Sequence, residues 1–139
     1  MVGGSLMYAT RLRGDPGETY RQVDVASRAG GASPHELITL LYEDLLRELR
    51  LAALATEKRN YSVKSAKLTR ALAILFALEA GLDFNRGGDV AETLSRFYRG
   101  ARETIMRASL DHDPELLRDI AGNVAEIAES WRVIGLPQR

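Results

Sequence analysis

At 139 residues, with 45% hydrophobic and 27% charged side chains, the chain has the size and composition of one globular domain with a single core. Nineteen Lys and Arg balance nineteen Asp and Glu, so no broad positive field favours nucleic acid or an anionic membrane surface as a partner. Cysteine is absent, which removes disulfides, thiolate nucleophiles and Cys-ligated metals together.

Residues 1–32 read as a partly irregular N-terminal arm. The stretch Met1 to Arg13 lacks the basic start and apolar centre of a signal peptide. No run approaches the roughly 20 apolar residues of a transmembrane helix. A cytoplasmic location without direct membrane insertion is therefore expected. Gly3-Gly4, Gly14-Asp15-Pro16-Gly17 and Gly30-Gly31 break any long element. Between them, Tyr20, Val23 and Val25 are too few to build a core and are suited to docking on another surface.

Residues 33–135 predict four helices. Ser33-Pro34-His35-Glu36 is a capping box with proline at the first helical position, opening a helix that runs to about Arg59. A second helix is predicted from about Ser62 to Ala80, closed by Gly81 as a left-handed cap. Asp83 to Gly88 reads as a loop, followed by a third helix from Asp89 to about Asp111. Asp113-Pro114-Glu115 restarts the chain with a cap, a proline and an acid near the positive helix end. The fourth helix continues to Ile134, and residues 136–139 form a tail. Connections this short force neighbours to run antiparallel, giving an all-α up-down four-helix bundle.

The third and fourth helices each carry an ordinary apolar stripe, the latter including Val124, Ile127 and Trp131, which reads as structural. The first two carry more. Ile38, Leu41, Tyr42, Leu45, Leu46 and Leu49 spread over a wide arc of the first helix, and Ala71 to Leu78 is apolar in every direction. A small bundle does not bury both faces of a helix, and each large apolar side chain left wet forgoes about 1.5–3 kcal/mol. Plain core and a partner-binding groove both account for this surplus. The groove reading assigns Ile38, Tyr42, Leu68, Leu72, Leu75 and Phe76 as its lining, with Tyr20, Val23 and Val25 of the arm covering it.

Catalytic signals are weak. His35 and His112 fall at helix ends and read as solvated, and no Glu-x-x-His pair marks a di-iron bundle. Gly87-Gly88 follows no strand and lacks a P-loop lysine. Acids and arginines from Glu43 to Arg50 alternate as on a solvated outer face. Neither an enzyme, a metal site nor a cofactor is expected.

Several stretches together carry a family resemblance: Met7-Tyr8, Ser33 to Ile38, Leu41-Tyr42-Glu43, Ala80 to Asp83, Gly87 to Ala91 with Leu94 and Tyr98, Ala108-Ser109 with Asp113, and Ile127 to Trp131. In this order and spacing they resemble the flagellin-specific flagellar export chaperones (FliS-like). The resemblance implies a chaperone that binds the C-terminal segment of unassembled flagellin, prevents premature polymerisation and delivers the subunit to the cytoplasmic domain of the type III export gate. It also implies an arm that partly covers the empty site. A monomer or weak dimer is expected. The alternative is a helical homodimerising structural or adaptor protein that does not bind flagellin. Relatives commonly carry an aromatic where this chain has Gly100, and often an asparagine where it has Thr93.

Overall fold

The computed structural model describes residues 33–134, and the segments assigned as arm, with Tyr20, Val23 and Val25, and as tail lie outside them. Ser33 opens the first helix as its sequence predicts, its hydroxyl accepting from the Glu36 N–H at 3.2 Å, with Pro34 next in the chain. The elements are α1 (Pro34–Glu57), α2 (Tyr61–Ala80), α3 (Phe84–Asp111) and α4 (Pro114–Ile134). Asn60 caps α2 through the Val63 N–H, and the Asp113 carboxylate caps α4 through the Glu115 and Leu116 N–H groups.

Two turns differ from expectation. Gly81 is right-handed (φ −84, ψ −2), and only Leu82 and Asp83 separate it from the next helix. There Asp83 accepts from the Arg86 N–H at 3.1 Å and starts a helical turn where the sequence reads as loop. That turn is set off from the rest of α3 at Gly88, whose φ of 50 and ψ of −127 suit a residue without Cβ. Among the described residues the other positive-φ positions are Arg59 (φ 58) and His112 (φ 50), neither of them glycine.

Helix α1 is the hub. It packs most extensively against α2 and α4, while α3 closes the ring against α2 and, over the thinnest seam, against α4. Leu41, Leu45, Leu49, Ile74, Leu75, Ile105 and Leu117 are fully enclosed at the centre. Each such side chain contributes about 1.5–3 kcal/mol through removal from water. Asp44 and Glu48 are also buried, contrary to the solvated face read from sequence. Arg70 and Lys67 of α2 reach them at 3.4 and 3.6 Å, so these carboxylates lie under the α1–α2 contact rather than outside it. Arg47 pairs with Asp44 along α1. No helix among the described residues is long and apolar enough to cross a membrane.

Candidate functional site

The six residues assigned to a groove divide into two environments. Ile38, Tyr42, Leu68 and Leu75 are buried core residues, Leu72 is half-buried against that core, and Phe76 stands 59% exposed. The cause lies in the ring arrangement. The wide apolar arc of α1 is covered from two sides, by α2 and by α4, so its width reflects two neighbours rather than surplus surface. On α2 the inward positions Ala71, Ile74, Leu75 and Leu78 are filled, and Phe76 is left pointing outward.

Phe76 faces α3 across the surface of the bundle. The Arg102 guanidinium of α3 lies over its ring, 5.7 Å from the centroid. From Arg102, steps of four residues along α3 reach Met106 and Leu110, which are 55% and 80% exposed. The same edge is held by polar contacts from α2. Glu79 takes the Ser95 hydroxyl at 2.9 Å and pairs with Arg99 and Arg102, each at 2.7 Å. Burial alone would raise the Glu79 carboxyl, but the hydrogen bonds from Arg99 and Ser95 and the neighbouring Arg102 guanidinium outweigh it and hold the group below the usual carboxylate range.

Tyr42 has a different role from a groove wall. Its hydroxyl lies 2.8 Å from that of Tyr98, joining α1 to α3 through the core. Burial pushes Tyr42 up to about 12 and Tyr98 well above the ordinary tyrosine value, so both remain neutral phenols. Beside Tyr42, a cleft of about 200 Å³ opens between α1 and α4, lined also by Leu46, Ala125 and Ala128. A second cleft of about 280 Å³ follows the α3–α4 seam, floored by Phe97, Ala101, Leu116 and Ile120. Gly100 lies on its wall, where an added Cβ would meet nothing within 4 Å.

Both clefts are lined by polar as well as apolar residues, and Phe76, Met106 and Leu110 remain exposed on the bundle surface. A family model described as "Flagellar protein FliS" matches residues 17–138. The chain belongs to this family. It is 34% identical over 118 residues to the flagellar secretion chaperone FliS of Salmonella typhimurium, covering 84% of this chain and 87% of that protein. It is 31% identical over 114 residues to the FliS of Vibrio cholerae, covering 82% and 84%. The flagellar secretion chaperone FliSB of Pseudomonas aeruginosa is 30% identical over 125 residues, covering 90% and 96%.

In this FliS-family chain both histidines make structural contacts, His35 while half-buried and His112 while still exposed at the end of α3. His35 stacks on Trp131 with centroids 4.3 Å apart and planes 11° from parallel. Its Nε2 lies 2.9 Å from the Trp131 carbonyl, and since a carbonyl only accepts, Nε2 carries the proton. Trp131 Nε1–H donates back to the His35 carbonyl at 3.1 Å. The first turn of α1 is thus clasped to the last turn of α4, satisfying one of the end carbonyls that a helix leaves open. At the other end, His112 stacks on Tyr61 at 4.1 Å and its Nδ1 accepts from the buried Lys64 ammonium at 3.1 Å. Lys64 also donates to the Ser109 carbonyl at 3.0 Å. Helix-end position alone carries no signal for either clasp, because each depends on which helices are neighbours. Among the described residues no three His, Asp or Glu side chains converge as a metal site would require.

Proposed function

We propose that this FliS-family chain is a cytoplasmic, non-catalytic export chaperone for flagellin. It binds the C-terminal segment of the unassembled subunit, keeps it from polymerising prematurely and presents it to the cytoplasmic domain of the type III export gate. The carrying observation is Phe76, an aromatic left largely in water on a helix whose inward positions are already filled. Membership of a family whose relatives are named flagellar secretion chaperones supports the same reading.

In this proposal Leu72 and Phe76 touch the client, while Ile38, Tyr42, Leu68 and Leu75 form the packed bed that fixes their positions. The client folds as it binds, apolar contacts offsetting its loss of chain entropy. Tyr20, Val23 and Val25 of the arm shield the apolar surface when no client is bound. A fluorescent flagellin C-terminal peptide titrated into the full chain, with light scattering of the mixture, tests this. A saturable one-to-one complex on a monomeric chain is expected. No binding, together with a stable particle of twice the 15.3 kDa chain mass, would establish the homodimeric adaptor instead.

A further inference from the structure

The balanced total charge conceals a local imbalance. Between residues 43 and 70, the latter part of α1, the turn and the start of α2, the sequence carries seven Lys and Arg against four Asp and Glu, and Asp44 already pairs with Arg47 and Arg70. Glu48 is engaged with Lys67, and Glu57 with Arg118 of α4. Arg50, Lys58 and Arg59 are exposed and pair with no carboxylate among the described residues.

One of these cations, Lys58, lines an apolar cleft of about 310 Å³ together with Leu51, Leu54, Ala55, Asn60, Val63 and Lys67, and Arg50 and Arg59 are chain neighbours of its lining residues. Leu51, Leu54 and Val63 each expose more than a third of their surface. No aromatic lines the cleft, so it offers no platform on which bases would stack.

A second observation comes from the backbone. Arg59 sits at φ 58, in the left-handed region, at a turn position where glycine or asparagine is the favoured residue. The chain thus holds a long cationic side chain at a position that disfavours it, between Lys58 and Asn60, which line the cleft. Unlike His112, the other non-glycine residue with positive φ among those described, Arg59 has no ring contact or hydrogen bond from its side chain that accounts for the residue there.

We propose that this end of the α1–α2 hairpin is a docking site for an acidic amphipathic helix of another protein, separate from the apolar surface at Phe76. Its leucine-type side chains enter the cleft between Leu51, Leu54 and Val63, and its flanking carboxylates meet Arg50, Lys58 and Arg59. Apolar burial holds the helix, and the unpaired cations set its orientation and select against basic segments.

The test uses the isotope-labelled full chain and a short capped peptide with leucines at helical spacing and glutamates elsewhere. A second peptide has every glutamate replaced by lysine. The glutamate peptide is expected to shift the amide signals of Leu51, Leu54 and Val63, and to bind roughly tenfold or more tightly than the lysine peptide. Arg59→Gly is expected to weaken binding about threefold, the size of one exposed ion pair. The variant should melt no lower than the parent, because glycine accepts the left-handed turn. Equal affinity for both peptides, or shifts confined to other surfaces, would overturn the proposal. So would the same amides moving with chain concentration alone, which would mean a second copy occupies the cleft. Tighter binding of a single-stranded oligonucleotide at this site would assign it to nucleic acid and equally reject the proposal.

Discussion

Replacing Trp131 by alanine removes a side chain that is only 3% exposed and that holds the end of α4 to the start of α1. Truncating a buried aromatic costs about 3–5 kcal/mol. The ring also supplies the Nε1–H bond to the His35 carbonyl, worth about 1 kcal/mol. That carbonyl keeps another partner, the Thr39 hydroxyl at 3.1 Å, so its loss leaves no orphaned acceptor. Trp131→Ala should therefore destabilise by about 4 kcal/mol, lowering the melting temperature of a domain this size by roughly 15–30 °C. Trp131→Phe keeps most of the burial and the stack on His35, and should lose only about 1 kcal/mol. Urea melts of both variants, followed by circular dichroism, give the two numbers. A Trp131→Ala loss below about 1 kcal/mol would refute the argument, since the clasp would then hold nothing. Equal losses for the two variants would shift the stabilisation from packing to the hydrogen bond.

Other expectations are equally direct. Tyr42→Phe or Tyr98→Phe leaves one buried hydroxyl without its partner and should cost about 1–3 kcal/mol, whereas the double variant should cost less than the sum, as a double-mutant cycle in urea would reveal. The depressed Glu79 carboxyl contributes stability that is present above its unfolded value near 4.5 and is lost as pH falls through the folded one. Glu79→Gln should thus be less stable than the parent at pH 7, with the gap narrowing in melts as pH falls from 4.5 through the depressed folded value. Phe76→Ser should leave the melting temperature nearly unchanged yet weaken flagellin-peptide binding about tenfold or more, and unimpaired binding by titration would remove Phe76 from the client site. Deleting residues 1–28 should speed peptide association in stopped-flow and raise dye binding by the free chain, and no change in either would reduce the arm to a tail.

The bundle was legible because its punctuation is local. Ser33-Pro34 and Asp113-Pro114 act within one helical turn, so their hydrogen bonds follow from spacing alone. Turn handedness was harder to read. The glycine at position 81 suggests a left-handed cap, but among the described residues the positive-φ positions other than Gly88 are an arginine and a histidine, which no composition rule singles out. The candidate site was legible only in part, because the breadth of an apolar arc does not reveal how many neighbours cover it. Phe76 and Ile38 look alike in a helical projection, yet one faces water and the other the centre of the bundle. The His35–Trp131 and Lys64–His112 clasps join residues 96 and 48 positions apart, beyond the reach of any local pattern.

The uneven seams of the ring give the molecule a graded resistance to opening. Helix α1 is gripped from both sides, whereas α3 and α4 meet least and leave a cleft between them. Local opening follows the thinnest contact, because the least apolar surface is uncovered there. Amide protons on α3 and α4 should therefore exchange with solvent sooner than those of α1, by a sub-global parting that leaves the α1–α2 hairpin intact. A partner wedged into that seam would need to displace only the weakest internal contacts, and its departure would let the ring close again without refolding the hub.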